Sequence, residues 1–334
     1  MKHELWGALA LDATVLVTIG LAIGYLAKVR MPRPPAGLFV RSDIVIMVVL
    51  LVVMPFAYLN MPAAVVCTVF GLIVFVGSQV TLAPVIGGRA AGAAATLVCA
   101  VEVVAYFTDW STVLMVVNDG ALVVVAAGVT NMWVQAAMKP SLVAGLAAAL
   151  VVYDTVATGL TSVTAHFMHL VEGIPFAPML AARYAPGPIM IGLGDTLMLT
   201  LWPLAATKSY GRVAGICAVV VDVLLMAAVF AGFASGAITW IPLLTPLGLL
   251  IVAQYLYWRR RAPVIVPMRA PLEAALRASY GEDEGTWIAL HEGNVVGRGD
   301  SPGAARRAAR EAGVTEVPVT ALDLTVQHGR VQSA

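Results

Sequence analysis

Long apolar blocks, separated by short polar stretches, fill the chain from Leu5 to Trp258. A hydrocarbon core takes about 20 apolar residues per helix. On that measure the pattern predicts nine membrane spans: Leu5–Val29, Asp43–Leu59, Pro62–Ile86, Ala90–Asp109, Thr112–Trp133, Ser141–Leu160, Pro188–Ala206, Arg212–Ser235 and Ile238–Trp258. Most connections are short. The exception runs from Thr161 to Gly187 and holds Pro175, Pro178, Pro186 and Gly187. Beyond Trp258 the pattern changes. The stretch "GTWIALHEGNVVGRGD" reads as two short strands around Glu292-Gly293-Asn294, a hairpin signal. "SPGAARRAAREAG" predicts a helix between Ser301 as N-cap and Gly313 as stop, and "VPVTALDL" a returning strand. The expected fold class is an all-α polytopic membrane domain over residues 1–258, followed by a small soluble α+β module, ββαβ-like, over 259–334. Within the membrane domain, residues 1–133 and 141–258 form an N-terminal and a C-terminal group of helices.

Composition agrees with this division. The chain is 60% hydrophobic and 12% charged, against roughly half and a quarter in soluble domains. Met1–Trp258 holds 10 Lys and Arg and 10 Asp and Glu, while the last 76 residues hold 10 and 9. Half of the charge therefore lies in the tail. The net charge of +1 averages two unlike regions, and nucleic acid is not an expected partner; the lipid bilayer is. The odd span count puts the termini on opposite sides. Eleven Lys and Arg (Lys28, Arg30, Arg33, Arg41, Arg89, Lys139, Lys208, Arg212, Arg259, Arg260 and Arg261) fall on one side, against Lys2 and Arg183 on the other. Basic residues in short loops stay inside, so the expectation is an outer N-terminus and a cytoplasmic tail, open to a cytoplasmic partner of unspecified kind. The first apolar run is too long for a cleaved signal, with its basic flank behind it. Cys67, Cys99 and Cys217 lie in apolar runs without CxxC spacing and read as small core residues.

Against this background two acids stand out. "PIMIGLGDTLML" sets Asp195 behind Gly192 and Gly194, and "ALVVYDTVATG" sets Tyr153-Asp154 inside the sixth span. A carboxylate in hydrocarbon costs about 2.5–3.5 kcal/mol on insertion scales, and such groups are functional by default. Asp154 lies six residues before the predicted helix end at Leu160, and Asp195 six after a helix start near Ile189. Helical rise then puts both about 9 Å from the same boundary, where antiparallel spans bring them together. Two carboxylates sharing one proton can hydrolyse a peptide, one activating water while the other hydrogen-bonds the scissile carbonyl. Glycines beside Asp195 leave room for another backbone.

Tyr153-Asp154 and Gly192-Leu193-Gly194-Asp195 resemble the YD and GxGD motifs of the presenilin and signal peptide peptidase family, the intramembrane aspartyl proteases. "YDTVATGLTSVTAHFMHLVEGIPFAPML" is similar to the corresponding segment of archaeal presenilin-type homologues. The family's Pro-Ala-Leu motif has Pro242-Leu243-Leu244 as its counterpart in "WIPLLTPLG", with leucine in the middle. The resemblance covers Ser141 to Trp258 by motif, the first five spans by architecture only, and leaves out the tail. It implies a nine-span fold and catalytic Asp154 and Asp195. It also implies a site shaped by Tyr153, Gly192, Leu193, Gly194, Pro242, Leu243 and Leu244. Substrates would be transmembrane helices or signal-peptide remnants, with no metal and no cofactor, in a prokaryotic cell membrane.

Other readings compete. The aspartates could be buried carboxylates that only bridge helices, or belong to a proton- or cation-coupled transporter or channel. Prepilin-type peptidases share GxGD but lack the YD partner. Asp12, Glu102, Asp119 and Asp222 are further acids inside apolar spans, for which interhelical hydrogen bonds or helix-end positions are expected. His166, His169 and Glu172 imitate a metal triad, without the defined further ligands that zinc needs. Pro242 and Pro246 can equally be helix-softening prolines. A second GxGD string, Gly297-Arg298-Gly299-Asp300, sits in the polar tail and is expected to be a turn, its Arg-Gly-Asp a coincidence.

Overall fold

A computed structural model describes residues 2–31, 41–136, 138–184, 187–235, 241–261, 287–291, 294–299, 302–314 and 319–321. The chain divides into two compact units, Met1–Arg261 and Ala262–Ala334. The first begins with α1 (Lys2–Lys28), α2 (Arg41–Leu59), α3 (Ala63–Ile86), α4 (Gly88–Phe107), α5 (Ser111–Gln135) and α6 (Pro140–Asp154). A π-helix (Thr155–Leu160) continues α6, followed by α7 (Val163–Val171) and the strands β1 (Met179–Tyr184) and β2 (Gly187–Gly192). Three more helices complete it: α8 (Leu193–Tyr210), α9 (Arg212–Ala234) and α10 (Leu244–Arg261).

Lipid offers a backbone no hydrogen bonds, so apolar blocks pair internally as helices. Among the described residues six helical segments are long and apolar enough to cross a membrane: Leu9–Lys28, Ala63–Ile86, Gly88–Phe107, Ser111–Gln135, Pro140–Leu160 and Arg212–Phe233. Their outward faces remain apolar, with Leu72, Leu97, Val152, Ile216 and Leu224 exposed. This is a membrane protein. α8 differs from the others because it is buried nearly all round, including every residue from Met198 to Ala206. It packs against α1, α5, α6, α9 and α10 and forms the centre of the unit.

Two expectations change here. The predicted seventh span, Pro188–Ala206, is not one helix. Its first residues form β2, and the helix starts only at Leu193. Proline lacks an N–H and disfavours helical backbone in the residue before it, so Gly187-Pro188 suits a strand better than a helix start. β2 pairs antiparallel with β1, from Tyr184 opposite Gly187 to Met179 opposite Gly192. The long connection is therefore structured, and the unit is not purely helical. The last helix begins at Leu244 and runs to Arg261, rather than spanning Ile238–Trp258; residues 236–240 lie outside the described ones. α10 lies close along α6 because Gly248 has no side chain. A Cβ there would come within 2.8 Å of the Ala147 carbonyl oxygen.

The second unit holds β3 (Trp287–His291), β4 (Asn294–Gly299), α11 (Pro302–Glu311) and β5 (Val319–Ala321). The sheet order is β4-β3-β5, with both pairings antiparallel. Gly313, at φ 85°, follows α11. Glu292, Gly293, Asp300 and Ser301 lie outside the described residues. Gly297-Arg298-Gly299 belongs to strand β4 and not to a turn. α11 lies so close over it that a Cβ on Gly297 would overlap the backbone of Ala305 and Ala309.

Candidate functional site

Asp154 is the last residue of α6, at the point where the ladder changes from α to π. It is 7% exposed. The Thr158 hydroxyl donates to its Oδ1 at 2.6 Å, and the Thr245 N–H donates to its Oδ2 at 3.2 Å. Thr245 is the second residue of α10, so this is one of the N–H groups that a helix start leaves without an intrahelical partner. Thr158 also shares a hydrogen bond with Thr164, and Thr155 meets Thr245 Oγ1 at 3.0 Å.

Asp195 is the third residue of α8. The Gly192 N–H donates to its Oδ2 at 3.2 Å, which is the reach-back half of a capping box. A carboxylate in the first turn also complements the helix dipole. The expected position, six residues inside a helix, is incorrect because those residues form β2. The two carboxylates nonetheless lie near enough for their charges to interact. What brings Asp195 to Asp154 is the start of α8, not equal depth along two helices.

Around Asp195, a Cβ on Gly192 would stand 3.0 Å from the Oδ2 it serves, while Gly194 is exposed and its Cβ would meet only Leu244 Cδ1, at 4.0 Å. Leu193 packs on the core and closes the hairpin by donating its N–H to Pro178. Tyr153 is half-buried against the same core. Leu243 and Leu244 are buried, and Pro242 lies 3.9 Å from where a Cβ on Gly159 would be. The Pro242-Leu243-Leu244 stretch thus lies beside the π-helix at Gly159 and beside Gly194, and leads directly into the N–H that holds Asp154.

The hairpin leading into Asp195 is fixed from α4 and α5. Asn118 donates from Nδ2 to the Ala177 and Met179 carbonyls, at 3.1 and 3.2 Å. Asp119 accepts from the Ala181 N–H at 3.1 Å, and buried Glu102 accepts from the Phe176 N–H at 2.8 Å. The Cys67 thiol donates to the Pro175 carbonyl. In the β1–β2 register the Met179–Gly192 and Ala181–Met190 pairs turn their backbone groups outward. The side chains of α5 therefore seal the outer edge of β1, whereas among the described residues no strand covers that of β2.

Two of the other acids depart from expectation. Asp222 is 1% exposed, yet among the described residues neither carboxylate oxygen has a hydrogen-bond partner, and Asp12 Oδ1 likewise has none. Cys217 is exposed rather than in the core. His166 and His169 lie on α7, and Glu172 approaches His169 at 3.8 Å. Among the described residues no three His, Cys, Asp or Glu side chains gather as metal ligands. Sequence reasoning missed Thr158, Thr245 and Asn118. Thr158 carried a signal, since four residues after Asp154 is the same helix face; Thr245 acts through its backbone and Asn118 across 59 residues, where no local pattern points.

Neither protein-family models nor curated proteins match the chain.

Proposed function

We propose that the chain is an intramembrane aspartyl endopeptidase, which hydrolyses peptide bonds of transmembrane helices or signal-peptide remnants. The observation that carries this reading is the approach of Asp154 and Asp195, each held by a backbone N–H at the start of a helix. Two such carboxylates share one proton. The ionised member takes a proton from water, whose oxygen attacks the scissile carbonyl carbon, while the protonated member hydrogen-bonds the carbonyl oxygen. Collapse of the tetrahedral species breaks the C–N bond and passes a proton to the leaving amine. No covalent intermediate, metal or cofactor is required.

A helical substrate hides its carbonyls in its own hydrogen bonds and must unwind first. The edge of β2 that no described strand covers offers the unwound segment a strand to pair with, and this edge ends at Gly192, whose N–H holds Asp195. In this reading α1 to α6 and α8 to α10 make nine spans, with the N-terminus outside and residues 262–334 in the cytoplasm, in a prokaryotic cell membrane. The tail is free there to meet a cytoplasmic partner.

The test is incubation of purified protein with a model transmembrane substrate. Asp154→Asn and Asp195→Asn should each abolish cleavage while the protein stays folded in the membrane, because a shared proton needs both carboxyls. Substantial cleavage by either variant removes the reading.

A further inference from the structure

Several helix ends of the first unit meet at one level. The Gln135 side chain, closing α5, donates to the Val29 carbonyl just beyond α1, and Lys208 near the end of α8 donates to the Val134 carbonyl. α10 finishes there too, because Tyr210, the last residue of α8, lies near Tyr255 and Arg259. The apolar segments Leu9–Lys28 and Ser111–Gln135 stop at this level and Arg212–Phe233 starts from it. It is therefore a boundary between hydrocarbon and lipid headgroups. α10 reaches it with Arg259, Arg260 and Arg261, all exposed, and among the described residues no carboxylate pairs with any of them.

Two of these arginines stand on aromatic rings one turn back. The Arg259 guanidinium lies over the Tyr255 ring at 5.9 Å, and that of Arg261 over Tyr257 at 4.5 Å. Tyr255 packs on the core, and Trp258 meets Tyr257 edge-on at 5.1 Å, so both rings are themselves held. A guanidinium stacked in this way keeps its in-plane N–H groups free to donate. Between the two stacks runs an apolar stripe. Leu249, Ala253 and Leu256 share one helix face with Arg260, and all four are exposed. Any span shows lipid an apolar face, and a basic flank commonly follows it. This end differs because rings fix two guanidiniums on either side of a third; among the described residues no other basic group of this boundary stands over a ring. A phosphodiester that carries acyl chains answers both halves, with oxygens for the guanidiniums and a chain for the stripe. A free phosphate answers only the first.

We infer that the end of α10 is a binding site for an anionic phospholipid, whose phosphate sits at Arg260 between Arg259 and Arg261 and whose acyl chain lies along Leu256 and Leu249. The site is independent of any chemistry at Asp154 and Asp195.

The experiment uses the full chain in a neutral detergent. Phosphatidylglycerol and phosphatidylcholine with the same acyl chains are offered in equal amounts, and bound lipid is measured by native mass spectrometry. Phosphatidylglycerol should be retained in preference. Arg260→Gln should weaken that preference about fivefold, the effect of one basic residue at an anionic surface. Combining Arg259→Gln, Arg260→Gln and Arg261→Gln should abolish it. Lys139→Gln, exposed at the same boundary just before α6, should leave it unchanged. The replaced side chains are all exposed, and an unaltered melting temperature verifies that the helices stay in place. Equal retention of the two lipids by the wild type, or a preference that survives the triple change, overturns the site. So does an equal loss in Lys139→Gln, which would make the attraction a property of the whole basic boundary. Glycerophosphoglycerol, the headgroup without its chains, should not displace the lipid at millimolar concentration; displacement would overturn the lipid site in favour of one for free phosphate esters.

Discussion

Replacing Thr158 by valine is the sharpest perturbation of the site that leaves both aspartates in place. Thr158 is 9% exposed, and its hydroxyl stands 2.6 Å from Asp154 Oδ1. Valine keeps the branched shape and puts a methyl group against the carboxylate. A buried hydrogen bond to a charged group contributes about 1.5–3 kcal/mol. At about 1.4 kcal/mol per tenfold in rate, the loss is between about tenfold and about a hundredfold in cleavage. It should fall on kcat with KM little changed, since Thr158 touches the carboxylate and not the substrate. Thr158→Ser, which restores the hydroxyl, should recover most of the rate. The assay is steady-state cleavage of a transmembrane substrate in nanodiscs, with melting temperatures measured alongside. A wild-type rate for Thr158→Val, or an equal loss for Thr158→Ser, would refute the reasoning.

Three further outcomes are expected. Cleavage should follow a bell-shaped pH profile that belongs to the pair: the acid limb marks protonation of both carboxyls and the alkaline limb loss of the shared proton; a flat rate over the range of folding contradicts this. Gly248→Ala should press a methyl group on the Ala147 carbonyl, cost about 1–3 kcal/mol in overpacking, and lower both melting temperature and activity as α10 moves the Thr245 N–H from Asp154; unchanged values of both would show that the close approach is not needed. Ser279→Cys, in a chain cleared of its three native cysteines, should resist a membrane-impermeant thiol reagent in intact cells and react after lysis; labelling before lysis would put the tail outside and reverse the orientation drawn from Lys and Arg.

The apolar blocks announced most helices, because in lipid a long run without polar residues has no other way to satisfy its backbone. The acids within apolar runs stood out equally, but their sequence context left both catalysis and hydrogen bonding between helices open for Asp154 and Asp195. What could not be read was the state of "GPIMIG". A short apolar run fits a strand or a helix start equally well by periodicity, and the length rule for spans favoured the helix. Only the pairing with Met179–Tyr184 decides it, and that depends on Asn118 and Asp119 reaching across from α5. The π-helix after Asp154 has no sequence signature at all. It is the tertiary contact of Thr155 and Thr158 with their neighbours that marks the segment.

The edge of β2 that no described strand covers also bears on where the proposed peptidase would take its hydrolytic water. Bare N–H and C=O groups cannot face hydrocarbon, each costing several kcal/mol when unpaired. On the peptidase reading the outward groups of Met190 would be hydrated when no peptide strand lies on them, and that hydration would lead along the strand to Gly192, whose N–H holds Asp195. On the proposed peptidase reading, an arriving substrate would strip water from the edge as it pairs and release it beside the aspartates, so that docking itself would deliver the second reactant.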